Sequence, residues 1–162
     1  MEKIKWIEEY LEEALKLAWM EGHEQALKLL DRLLYEEPGY ARLHYTLGLI
    51  FFDYGDDMPR AEQHFRLAIQ FDKKFADPYW YLGRLLADDD RLDDALTIYN
   101  QGLKAKQAKK AHLFEQVGKA YELKKQFNKA IARYRKALRH SAELWHCIVL
   151  EESIKRCKRK QR

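Results

Sequence analysis

The stretch YWYLGRLLADDDRLDDALTIYNQG, from Tyr79 to Gly102, decides the fold. Ala95, Tyr99 and Gly102 stand at i, i+4 and i+7, a spacing that places all three on one face of a helix. Gly83 marks the arm before them, and the acidic run Asp88-Asp89-Asp90 with Asp93-Asp94 lies between the two arms. That run reads as a turn followed by carboxylates in the first turn of the next helix, where the helix dipole favours negative charge. It lacks the Gly at the sixth position and the Glu at the twelfth that a calcium loop requires. A small residue on each arm lets two helices approach closely, and the bulky Tyr99 fills the space beside the contact.

The same hairpin recurs along the chain with a period of 34 to 35 residues. Gly48, Gly83 and Gly118 fall 35 apart, and Ala14 precedes Gly48 by 34. A second series, Ala26, Ala61, Ala95 and Ala130, is followed four residues on by Leu30, Phe65, Tyr99 and Tyr134, and three further on by Leu33, Ala68, Gly102 and Ala137. Turn chemistry predicts helix pairs at about 2–20 and 24–36, 40–53 and 59–71, 76–87 and 92–105, and 109–124 and 127–139. Glu37-Pro38-Gly39 and Asp77-Pro78 punctuate two junctions, and the turn at residues 54–59 carries one extra residue. Ser141 reads as the N-cap of a ninth helix running from Leu144 to about Lys155. Its apolar set, Leu144, Ile148 and Ile154 with Trp145 and Val149 beside it, is expected to cover the last repeat.

The third copy reads Tyr79, Leu82, Gly83, Leu86, Ala95, Tyr99, Gly102, and the fourth Phe114, Val117, Gly118, Tyr121, Ala130, Tyr134, Ala137. This set resembles the tetratricopeptide repeat family over about residues 6–142. The resemblance implies an all-α, right-handed helical-hairpin solenoid of four repeats plus a C-terminal capping helix. The four-repeat array would span residues 1–140, the capping helix 141–155 and a basic tail 156–162. The first copy is the least regular, as the end repeat of an array commonly is.

In the resembled family the first helix of each repeat lines a concave groove that holds a partner. Carried onto this sequence, those positions supply Leu11 and Trp19 in copy one and Tyr45, Leu49 and Phe52 in copy two. Copy three supplies Trp80, Tyr81 and Arg84, and copy four His112 and Lys119. Large aromatics with an Arg beside them are the residue types that dominate binding energy at protein interfaces. The resemblance therefore implies a non-catalytic scaffold or adapter that holds an apolar or aromatic-bearing peptide or helix. The Lys and Asn clamp by which chaperone-binding members grip a C-terminal carboxylate is missing: its places read Leu11, Leu15, Thr46, Asp77 and Tyr81, or one repeat on Tyr45, Leu49, Tyr81, His112 and Gln116.

Composition agrees with a helical chain. Hydrophobic residues make up 47% of the 162, enough for a core, while 7 Gly and 3 Pro leave few helix breakers. No strand-like alternation, apolar leader or stretch of ~18 apolar residues is evident, so a soluble, cytoplasmic protein is expected. Cys147 and Cys157 read as reduced thiols, with neither a disulfide framework nor a zinc pattern. The six His residues are dispersed, and His112 with Glu115 at i, i+3 is ordinary on a solvated helix. No phosphate loop, nucleophile elbow or catalytic carboxylate pair is present, so no enzyme, cofactor or metal is expected.

Charge is unevenly spread. Residues 1–100 hold 12 Lys and Arg against 21 Asp and Glu, a net of −9, and residues 101–162 hold 18 against 5, a net of +13. Lys155, Arg156, Lys158, Arg159, Lys160 and Arg162 end the chain as a basic surface. Such a field favours an acidic partner. An alternative reading is thus a factor that binds an acidic protein, RNA or the ribosome through the basic half. A monomer is the default expectation, with a weak homo-oligomer, head to tail or through the cap helices, as the alternative.

Overall fold

The computed structural model describes residues 2–20, 22–54, 57–106 and 108–161, with side chains from Lys5 onward. Among them are nine helices and no strand: α1 (Glu2–Met20), α2 (His23–Glu36), α3 (Ala41–Asp53), α4 (Met58–Phe71), α5 (Asp77–Asp88), α6 (Leu92–Gly102), α7 (Lys110–Leu123), α8 (Phe127–His140) and α9 (Leu144–Lys160). The fold is all-α and built of helical hairpins. The chain divides into two compact units, residues 1–78 and 79–162. Gly55 and Asp56, within the turn expected to hold the extra residue, lie outside the described residues.

In the first unit α1 packs on α2 and α3, and α3 on α4. Gly48 of α3 meets the Phe65 ring of α4 so closely that a Cβ there would fall 2.6 Å from it. Ala26, Leu30, Ala61, Phe65 and Ala68 are fully buried, as the repeat register predicts. Asp57 starts α4 by accepting a hydrogen bond from the Arg60 N–H at 3.0 Å, with Pro59 in the first turn. Tyr40 donates to Glu8, and Arg42 pairs with Glu8 at 2.8 Å, which ties α3 to α1. Burial, and then the Glu8 carboxylate, push the Tyr40 phenol up to about 12.

The second unit repeats the motif. A Cβ on Gly83 would fall 2.2 Å from Tyr99, and one on Gly118 would fall 2.6 Å from Tyr134. The α5–α6 and α7–α8 turns share one geometry 35 residues apart. Asp90 (φ 58°) and Lys125 (φ 56°) are left-handed, and the next N–H reaches back five residues, Arg91 to the Leu86 carbonyl and Gln126 to that of Tyr121, each at 2.8 Å. Helix α6 stops at Gly102 rather than near residue 105. A Cβ at Gly102 would lie 2.7 Å from that of Tyr79 and 3.4 Å from Leu113, and beyond it the chain tightens into turns from Lys104 and Ala105 back to the Gln101 and Gly102 carbonyls.

The last helix departs most from expectation. It buries His146, Leu150, Ser153, Ile154 and Cys157, while Leu144, Trp145, Ile148 and Val149 stay exposed. The buried set follows helical spacing, and Leu150, Ile154 and Cys157 pack with Ala130, Ile131, Tyr134 and Ala137 of α8. Ser141 does not cap α9. Its hydroxyl lies 3.1 Å from His146 Nδ1, and the residue at the N-cap is Glu143. Nor does the helix end at Lys155; it runs to Lys160 because Glu122 of α7 holds its far end. Cys157 is a free, buried thiol that burial pushes up to about 11, and Cys147 is also free.

Candidate functional site

The first unit draws most of its expected groove residues into its own packing. Leu11 is only 3% exposed and Leu49 is also buried, so both are core rather than contact residues. Tyr45 stands edge-on to Phe75, ring centres 5.0 Å apart, and tilts against Phe65; Phe52 stands edge-on to Phe65 at 6.3 Å. Aromatic rings offered side by side in a helical hairpin satisfy one another first. Trp19, at the end of α1, is 77% exposed and joins neither group. Tyr45→Ala is accordingly expected to cost about 1–2 kcal/mol of stability, read from the denaturant midpoint, because it empties a packed site.

Helix α5 of the second unit presents a compact aromatic surface. Trp80 and Tyr81 are half-buried and meet edge to face with ring centres 4.9 Å apart. The exposed Arg84 guanidinium lies over the Trp80 ring at 5.6 Å, and Asp88 holds the guanidinium from one turn on at 3.6 Å. The three expected residues of copy three thus form one patch, kept in place by ring contacts and an i, i+4 ion pair. Lys119 on α7 is exposed and bonded to Glu115 at 2.8 Å.

His112 is positioned differently from the groove expectation. Its ring stacks on that of His146 from α9, with centres 4.7 Å apart and planes 11° apart. His146 Nε2 lies 3.0 Å from Glu115 Oε2 in a buried pair. Burial raises the Glu115 carboxyl, but Lys119 and then His146 outweigh it and hold the group below its ordinary range. Sequence spacing shows only His112 and Glu115; the third member arrives from 31 residues beyond Glu115 on a separate helix.

Half of the expected basic surface is committed to internal bonds. Arg156 grips Glu122 with two N–H groups at 2.8 and 2.9 Å, Lys160 adds a bond at 3.0 Å, and Tyr134 donates its hydroxyl at 3.0 Å. Arg156 above all, with Lys160 and Tyr134, holds the Glu122 carboxyl down at about 2. Lys155 pairs with Glu152 at 2.7 Å. Lys158 and Arg159 are exposed, and Arg162 lies outside the described residues.

No protein-family model and no curated protein matches the sequence. Solved structures do, and they are repeat proteins of this architecture. MamA is 23% identical, with 83% of this chain and 77% of that one covered at a TM-score of 0.73. PilF of Pseudomonas aeruginosa is 18% identical, covering 99% and 71% at 0.84. The TPR2B domain of yeast Sti1 in complex with pHsp70 is 17% identical, covering 75% and 98% at 0.66. The chain therefore has the tetratricopeptide-repeat fold.

Proposed function

We propose that the chain is a non-catalytic protein-interaction scaffold that captures an apolar or aromatic-bearing segment on the face of α5 that carries Trp80, Tyr81 and Arg84. The observation that carries this reading is the Trp80, Tyr81 and Arg84 patch, in which two rigid rings and a guanidinium stand together on one helix. The same fold holds pHsp70 in the Sti1 complex, which supports a partner-binding role here. No helix is long and apolar enough to cross a membrane among the described residues.

Trp80→Ala and Arg84→Ala should each weaken capture of the partner by about 1–3 kcal/mol while the helical circular dichroism stays unchanged. A polyanion bound through the basic half is distinguished by salt. Its affinity should fall steeply between about 50 and 200 mM, whereas capture on α5 should change little. Of the tail cations, Lys155, Arg156 and Lys160 are held in ion pairs with Glu152 and Glu122, while Lys158 and Arg159 are exposed.

The outer face of α9 favours a second contact, with another copy of the chain. Leu144, Trp145, Ile148 and Val149 form an exposed apolar set at i, i+1, i+4 and i+5. Trp145→Ser with Ile148→Ser should lower the mass seen by light scattering at high protein concentration and change stability by no more than about 0.5 kcal/mol. A concentration-independent monomer mass for the parent chain would remove this contact from the account.

A further inference from the structure

We propose that His112, Glu115 and His146 form a binding site for a divalent transition metal ion, with Zn²⁺ the best match to the donors. One imidazole and one carboxylate come from a single turn of α7, and the second imidazole comes from α9. The three ligand atoms all lie within 4.8 Å of one another. His146 Nε2 and Glu115 Oε2, 3.0 Å apart, already sit near the separation that two ligands at about 2.0–2.2 Å from one tetrahedral ion require.

The atoms behind the ligands are arranged as metal sites need them. Ser141 Oγ lies 3.1 Å from His146 Nδ1, so it fixes the ring and leaves Nε2 facing Glu115. Lys119 occupies Glu115 Oε1 at 2.8 Å, which leaves Oε2 for the ion. A cleft of about 510 Å³, lined among others by Lys109, Lys110, His112, Ser141 and His146, gives an entry path and room for water as the fourth ligand.

One movement is required. Parallel stacked rings aim their in-plane lone pairs side by side, so His112 must turn about its side-chain bonds to converge with His146 on one ion. His112 is half-exposed and borders the cleft, so the turn meets no closed packing on that side. Coordination displaces the proton from His146 Nε2, so the imidazole binds as the Nδ1–H tautomer, which donates to Ser141 Oγ; the ion then replaces the direct His146–Glu115 hydrogen bond by two coordinate bonds and joins α9 to α7 more firmly. This site goes beyond the partner-binding surface on α5 and does not depend on it.

The test is titration of the full, chelator-treated chain with Zn²⁺ by calorimetry, and with Co²⁺ by visible absorption to report tetrahedral coordination. The expected result is one ion per chain, a higher thermal midpoint, and slower amide exchange in α9. His112→Gln, on a half-exposed residue, and His146→Ala should each weaken Zn²⁺ binding at least tenfold, by analogy with the roughly 10–100-fold losses seen when outer-shell partners alone are removed. His44 and His64, whose Nδ1 atoms lie 3.0 Å apart, are a second close imidazole pair among the described residues, so His64→Gln serves as the control and should leave binding unchanged. The proposal is overturned if the parent chain shows no saturable binding below about 100 µM, a range weaker than a three-ligand site would give. It is equally overturned if His112→Gln binds as tightly as the parent, or if His64→Gln abolishes binding.

Discussion

Gly83→Ala should destabilise the second unit by about 3 kcal/mol and lower the thermal midpoint by roughly 10 °C. The added methyl would fall 2.2 Å from Tyr99 Cε1 and 2.6 Å from Cδ1, well inside contact distance. Relief would require the ring to move, yet Tyr99 is 1% exposed and packed on all sides. Gly83→Leu should be worse, because it forces the α5 and α6 backbones apart. Two controls separate this collision from a general intolerance of substitution. Gly39→Ala places its methyl 3.6 Å from Phe71, an ordinary contact, and should be nearly neutral. Gly83→Ala combined with Tyr99→Leu should lose less than the sum of the two single changes, since one side of the collision is removed. Equal midpoints for Gly83→Ala and Gly39→Ala would contradict the packing described here.

Glu122→Gln should cost about 2 kcal/mol and free the last turns of α9. The carboxylate is 10% exposed and is the shared partner of Arg156 and Lys160 on α9 and of Tyr134 on α8. The amide cannot answer two cations, and both would return to solvent, which their half-exposed side chains can reach. That access is why the expected loss is smaller than for a fully buried ion pair. Amide exchange should accelerate between Arg156 and Lys160 and stay slow at Leu150. The pH dependence has a definite sign. The folded-state value of Glu122 is depressed, to about 2 from an ordinary 4.5, so its contribution is fully present above pH 4.5 and is lost as pH falls toward 2. Glu122→Gln should flatten the stability profile across that window and leave it unchanged near neutrality apart from the constant offset.

The repeat register was legible in the sequence because its cause is local and recurs. Gly48, Gly83 and Gly118 each face an aromatic ring four residues after a buried Ala, and the pattern survives in copy after copy. Helix boundaries followed from the same turns, apart from the ends of α6, where the approach of Tyr79 and Leu113 at Gly102 is a tertiary event, and of α9, which Glu122 holds out to Lys160. The face of α9 was legible only at Ile154. Apolar type pointed also to Leu144 and Ile148, which stay exposed, whereas the core on α8 takes Leu150 and Cys157 and Glu115 of α7 draws in His146.

The groove was legible in part for a related reason. Residue type does not tell which rings pack within the fold and which reach its surface. Tyr45 and Phe52 pack against Phe65, whereas the half-buried Trp80 and Tyr81 pack on each other with Arg84 over the Trp80 ring. The charges behaved alike. The tail cations were counted as surface, but Glu122, 34 residues from Arg156 and 38 from Lys160, was not visible as their partner.

The central claim is that the α5 patch holds a protein partner. Its most direct test is quantitative affinity capture with the parent chain, the Trp80→Ala/Arg84→Ala double variant and the Trp145→Ser/Ile148→Ser variant in parallel, each checked for native circular dichroism. The account predicts at least one protein that binds the parent and the α9 variant equally, that is lost from the α5 variant, and that can be crosslinked to a photoreactive residue placed at Tyr81. Retention of every captured protein by the α5 variant would contradict it.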